Sequence, residues 1–343
     1  MNTRITEAFR RLPKIEMHLH LEGAILPGTA VELAQKNGVD LPPHDSPEDL
    51  YQFNGLDDFL AVYGAIASAV LDVDDFRRIT YEMLESAAKS GARHVEFFIS
   101  PHAHATVPFA KQFEGIRAGM AEAQTDYAVT SLIIPGMNRE LGPEKGEEYL
   151  DEVLANRADD LVGLGLDYFE APYPPEPFAA VFERARRAGL RTSAHAGEAG
   201  PAAFVAGSID SLKVDRIDHG YNIVDDPALV ARCRDLGIMF TCCPSTTMST
   251  TKYRNLGSPD HAIRRMKEAG LVVSINSDDP PMFLTDLNTE YVLAHEKLGF
   301  SLEDIKASIL ATIDHAWVAE STKATWREEW TPQIDLILSE INA

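Results

Sequence analysis

Lys14-Ile15-Glu16-Met17-His18-Leu19-His20-Leu21-Glu22-Gly23 alternates apolar and polar residues from Ile15 to Leu21, the period of a β-strand whose two faces meet different surroundings. Period two sets His18 and His20 on one face, roughly 7 Å apart along the chain. Two imidazoles on one face, followed by an acidic residue and a glycine, suit a shared cation better than a packed core. Neutral imidazole is the commonest metal ligand, and histidine is only intermittently buried without a partner.

Working outward, seven further apolar runs of strand length follow, at 92–99, 129–134, 161–167, 190–195, 214–219, 238–242 and 271–277. Segments of helical spacing separate them, with Gly38, Gly189, Gly237 and Gly270 standing as helix stops. Short apolar strands alternating with helices predict parallel pairing with both sheet faces covered. Eight such units predict an α/β fold closed into a (β/α)8 TIM-type barrel. An open doubly wound sheet is disfavoured, because no glycine-rich phosphate loop follows the first strand. Residues of about 28–90 read as a helical insertion after strand one, long enough to cover a site, and extra helices fill the C-terminus. No Pro/Gly/Ser linker splits the chain, which reads as one domain over residues 1–343.

The chain has 343 residues, 45% of them hydrophobic, and a formal net charge of −22. Such an acidic balance argues against a nucleic-acid partner, and no basic recognition motif occurs. No apolar run reaches 18 residues and no signal core follows the N-terminus, so neither a membrane partner nor export is expected. Three cysteines, with Cys242 and Cys243 adjacent, make no disulfide framework and fit a reducing cytoplasm. The adjacent pair reads as small buried hydrophobes.

In a barrel of this type the chemistry sits where strands end, at the C-terminal face. There the chain places His18 and His20, then His195-Ala196-Gly197-Glu198, Asp218-His219-Gly220, and Asn276-Ser277-Asp278-Asp279-Pro280. These are metal-ligand and acid–base types, where strand ends ordinarily carry turn residues. Three imidazoles and one carboxylate would leave an open position for water, the arrangement of catalytic zinc. Glu198, three residues beyond His195, is a candidate proton donor. His219 could orient or deprotonate the water, and Asp279 could face a substrate. His94-Val95-Glu96 matches half of a different zinc-deaminase element, H-x-E followed by P-C-x-x-C, but no Pro-Cys pair exists and His94 reads as a strand residue.

The motifs Met17 to Gly23, His195 to Glu198, Arg216-Ile217-Asp218-His219-Gly220 and Ser274 to Pro280, in that order, resemble the adenosine/adenine deaminase branch of the amidohydrolase superfamily. The resemblance spans nearly the whole chain. It implies a small-molecule purine substrate that loses its 6-amino group as ammonia. It also implies one divalent metal ion, zinc first and ferrous iron as the alternative, held by His18, His20, His195 and Asp278. Glu198 matches the residue that protonates purine N1, His219 the one that positions and assists water, and Asp279 the carboxylate at N7. Three stretches depart from the adenosine-deaminating pattern. Glu22 stands where aspartate is usual on the ribose side. Tyr168-Phe169-Glu170 replaces a small Gly-Asp-Glu near N3. Cys243-Pro244-Ser245-Thr246-Thr247 replaces Cys-Pro-x-Ser-Asn. Glu22 and Tyr168 are therefore candidate substrate contacts, and adenine is favoured over adenosine. The alternatives are a modified or N6-substituted adenine, another amidohydrolase reaction, or a non-catalytic purine-binding protein.

Overall fold

A computed structural model describes residues 3–53 and 55–342. Its strands are β1 (Lys14–Glu16), β2 (Ala92–Ile99), β3 (Thr130–Asn138), β4 (Gly163–Asp167), β5 (Arg191–Ala196), β6 (Arg216–His219), β7 (Met239–Cys242) and β8 (Val272–Ile275). They pair in sequence order, every neighbour parallel. The ring closes beyond β8, where Asp278 N–H donates to the His18 carbonyl at 3.0 Å and His20 N–H donates to the Asp278 carbonyl at 2.9 Å. The architecture is the expected (β/α)8 barrel.

The first strand is shorter than its alternation suggests, because the chain changes partners after Glu16. Met17 N–H donates to Asn276 Oδ1 at 2.8 Å, His20 turns to Asp278, and Leu21 N–H donates to the Phe98 carbonyl. His18 and His20 nevertheless share the barrel interior, both packed on the Phe98 ring at centroid distances of 5.4 and 5.0 Å. Gly165 of β4 leaves room for that ring, since a Cβ there would lie 2.7 Å from it.

The insertion consists of helices Pro27–Asn37, Leu56–Ala67 and Val73–Lys89 with a short 3-10 turn, Pro47–Tyr51. The longest starts at a reciprocal Asp72–Asp75 capping box. It packs closely on helix Phe109–Tyr127 because Gly115 and Gly119 present no side chain to the Val73 and Arg77 carbonyls. Helix Thr3–Arg11 precedes the first strand and is too short to show a clear helical period in the sequence. It buries Ile5, Ala8 and Phe9, and its end is held by Lys14 Nζ donating to the Phe9 carbonyl.

The H-x-E stretch lies inside the barrel, toward its N-terminal end. Arg216 Nη1 donates to Glu96 Oε2 at 2.5 Å, and the guanidinium stacks 4.0 Å from the Trp317 ring centroid. Burial opposes ionisation of Glu96, but Arg216, His94 and the Trp317 N–H together bring its pKa down to about 2. A carboxyl shifted downward stabilises the fold above its ordinary range, and that contribution is lost as pH falls from about 4.5 toward 2. Glu96→Gln strands a buried cation and is expected to lower unfolding free energy by about 3–5 kcal/mol. Urea unfolding at neutral pH checks it: a loss below about 1 kcal/mol would show that the pair is dispensable.

Candidate metal centre and acid–base site

Four donor atoms converge where β1, β5 and β8 end. His20 Nε2 lies 3.3 Å from His18 Nε2 and 3.2 Å from His195 Nε2. Asp278 Oδ1 lies 3.2 Å from His18 Nε2 and 3.5 Å from His20 Nε2. All four side chains are buried. Ligands bound at about 2.0–2.1 Å around a tetrahedral ion sit about 3.3 Å from one another, so these separations suit zinc-sized coordination. Burial drives the His20 pKa down to about 4 and that of His195 well below the ordinary value, leaving both imidazoles neutral. Burial also disfavours charge on Asp278 and on His18, but the attraction between the two outweighs it, raising the His18 pKa and holding the Asp278 carboxyl far below its usual range. Lone pairs this close repel unless a cation or a shared proton lies between them.

The surroundings fix which nitrogens point inward. Thr241 Oγ1 donates to Asp218 Oδ1 at 2.9 Å, so toward His18 Nδ1, at 2.9 Å, it can only accept. His18 therefore carries a proton on Nδ1 and turns Nε2 toward the cluster. Asp218 Oδ2, otherwise unpartnered, faces the equally unpartnered His195 Nδ1 at 3.6 Å. One buried carboxylate thus orients two of the imidazoles. The sequence reading passed over Thr241, and Asp218 entered it only as part of a motif.

Glu198 and His219 flank the donors. His219 Nε2 is 3.7 Å from Glu198 Oε2 and 3.9 Å from Asp278 Oδ2. Tyr221 OH donates to the Cys243 carbonyl and accepts from Cys243 N–H, so His219 Nδ1 is its remaining donor, at 3.1 Å. That network assigns the proton to Nδ1 and leaves His219 Nε2 free to accept. Burial raises the Glu198 pKa against the opposing pull of His219. Thr250 Oγ1 donates to Glu198 Oε1 at 2.5 Å, and the backbone N–H groups of Gly197, Glu198 and Ala199 all donate to the Glu170 carboxylate. Glu170 thereby clamps the turn that aims Glu198.

Asp279 stands beside Asp278, and burial together with that neighbour pushes its pKa well above the usual range. Gly23 makes space for it: a Cβ there would lie 1.6 Å from Asp279 Oδ1. His18, His219 and Asp278 also form a second potential ligand group with Cys243. Burial pushes that thiol far up, which favours its protonated form.

A cavity opens onto these groups, lined also by Phe59, Tyr63, Ser100, Asp167, Tyr168 and Phe283. Phe59, on insertion helix Leu56–Ala67, stacks 5.1 Å from Phe283, so the insertion does cover the site. Tyr168, His219 and Asp278, each just at or beyond a strand end, have φ of 68°, 67° and 63°. Left-handed backbone costs non-glycine residues about 1–2 kcal/mol each and persists where its surroundings impose it. Glu22 is not in the lining. Its oxygens accept from Tyr63 OH at 3.0 Å, Ser100 N–H at 2.8 Å and His104 Nε2 at 3.0 Å. It supports the wall from behind, through the lining residues Tyr63 and Ser100.

Comparison with known proteins places this geometry in context. The profile of the family described as Adenosine deaminase matches residues 13–331. An adenine deaminase of Cupriavidus necator is 38% identical over 335 residues, covering 91% of this chain and 94% of its own. A solved amidohydrolase from Burkholderia ambifaria, with bound Zn, shares 37% identity and superposes with a TM-score of 0.94 over 100% of this chain and 96% of its own. The crystal structure of adenine deaminase from Arthrobacter aurescens shares 32% identity, with a TM-score of 0.88 over 97% of this chain and 100% of its own. Among the described residues no helix is long and apolar enough to cross a membrane.

Proposed function

From the premise that this chain belongs to the adenosine deaminase family, we propose that it hydrolyses the 6-amino group of adenine, releasing hypoxanthine and ammonia. Purine deamination follows from the family, and adenine is the substrate named for the similar curated proteins. The observation that carries the reading is the convergence of His18, His20, His195 and Asp278 beside a buried Glu198–His219 pair.

Those four residues would hold one divalent cation, for which zinc is the first choice given the Zn-bound similar structure. When bound, the cation supplies Lewis-acid activation that lets water attack near neutral pH. His219, with Nε2 free, takes the proton of the attacking water. Attack at C6 breaks the ring's conjugation, and Glu198, whose protonated form burial favours, delivers a proton to N1 in the same step. Asp279, also held neutral, donates to N7. The C6–O bond forms, the proton on His219 passes to the amine, the C6–N bond breaks to release ammonia, and the remaining hydroxyl proton returns to Glu198 as the C6 carbonyl forms. Tyr168 and the Phe59–Phe283 pair bound the purine plane. We read the whole chain as one catalytic unit in the cytoplasm, where its three buried free cysteines remain reduced.

Thr241→Val removes the hydroxyl between His18 and Asp218 without changing shape. Metal affinity, measured by competition with a chelator, is expected to fall about 10–100-fold. Unchanged affinity would remove Thr241 from the site. The reaction itself is tested by ammonia release from adenine, adenosine and N6-methyladenine, with metal analysis of the same preparation. Activity confined to adenosine or to the N6-substituted base would overturn the substrate, and activity at full rate in metal-free protein would overturn the cation.

A further inference from the structure

Asp167, the last residue of β4, lines the cavity yet has no part in the chemistry above. It is buried, and neither carboxyl oxygen meets a hydrogen-bond partner in another residue. The nearby cation does not serve it: Arg139 donates instead to the backbone carbonyls of Asp167, Leu166 and His195. Space is nonetheless kept for this carboxyl, since a Cβ on Gly136 would lie 2.0 Å from Asp167 Oδ2. A buried polar group without partners is destabilising by about 1–3 kcal/mol, so its retention beside a cavity points to a partner that arrives with the ligand.

The strand order says which part of the ligand that is. In a ring of eight strands taken in order, β4 stands opposite β8. Asp278 and Asp279 follow β8, so a flat purine with its C6 and N7 side toward them presents its N3/N9 edge toward β4. In free adenine that edge is an acceptor, N3, beside a donor, N9–H. A neutral carboxyl group offers a donor beside an acceptor, and the two can close a ring of two hydrogen bonds. Burial, against the pull of Arg139, has raised the Asp167 pKa to about 7, which keeps that neutral form available. A nucleoside has no N9–H and sets a sugar where the carboxyl would bind.

We propose that Asp167 is a specificity-determining residue that pairs with the N3/N9–H edge and selects the free base over its N9-substituted forms. This rests on adenine deamination as the reaction. The test compares adenine with 9-methyladenine in turnover by the metal-loaded protein, and hypoxanthine with 9-methylhypoxanthine in calorimetric binding. Wild type should prefer the unsubstituted purine at least about 10²-fold, as a site built around a substrate N–H does. Asp167→Ala should reduce that preference at least tenfold, chiefly by raising KM for adenine. Asp167→Asn, whose amide carries the same donor–acceptor pair, should restore most of it.

A wild-type preference below about threefold, too small for a lost buried hydrogen bond, would overturn the proposal, and needs no variant to fold. So would an Ala variant that weakens both purines of a pair equally, which is the signature of a structural role. If no purine released ammonia, the deamination reading would fall, while the binding pair would still decide Asp167. Deamination of adenine and 9-methyladenine alike would leave the reaction standing and sink only the selectivity.

Discussion

Glu198→Gln is expected to lower kcat on adenine by about 10²–10⁴-fold, the loss typical when a positioned proton donor is removed. The amide keeps the size of the side chain and can still meet Thr250 Oγ1, and the backbone clamp on Glu170 does not depend on it. Bound metal should therefore be unchanged. The effect belongs to kcat because protonation of N1 matters when the ring loses conjugation, not when it docks. The pH profile supplies a second reading. Burial raises the Glu198 pKa, and the carboxyl donates only while protonated, so wild-type kcat should decline as pH rises through that value. The glutamine variant should lack this limb. A near-wild-type rate, or an unaltered alkaline limb, would take Glu198 out of the mechanism.

Asp278→Ala should be the more severe change. It removes the only carboxylate of the proposed ligand set, the partner of His18 Nε2 at 3.2 Å, and the acceptor for Thr246 Oγ1 at 2.8 Å. Metal retention after dialysis should drop well below one equivalent. Activity should fall at least about 10³-fold, the several kcal/mol of charge stabilisation a bound cation supplies. The backbone adds to the effect, since φ of 63° is better tolerated by Asp or Asn than by Ala. Asp278→Asn, which suits that backbone and keeps one oxygen, should retain more metal than the alanine variant. Full occupancy of Asp278→Ala by elemental analysis would show that the donor set is wrong.

Much of this molecule is legible without coordinates because its design repeats. Apolar runs buried on both faces, spaced by helices, leave few architectures, and polar residues breaking those runs at their C-terminal ends stand out. His18, His195, His219 and Asp278 were visible in that way, and the structure brings them within a few ångströms. Helix Thr3–Arg11 was not, because nine residues give too few turns to declare a period. Thr241 and Asp218 sit within ordinary strand sequence, and their part emerges only from the ladder that sets β6 and β7 side by side.

The two acidic residues of the cavity region show where local reading ends. Glu22, adjacent to the organising motif, is engaged by Tyr63, Ser100 and His104, which lie 41, 78 and 82 positions away. Asp167, unremarkable at the end of an apolar strand, is left with free oxygens beside the cavity. By itself the sequence determined the barrel, the order of its strands and the kinds of side chain at their ends, because period and residue type are local properties. Only the tertiary structure decided which of those groups are already satisfied and which await a ligand, because hydrogen bonding depends on atoms that closure of the barrel brings together from distant parts of the chain.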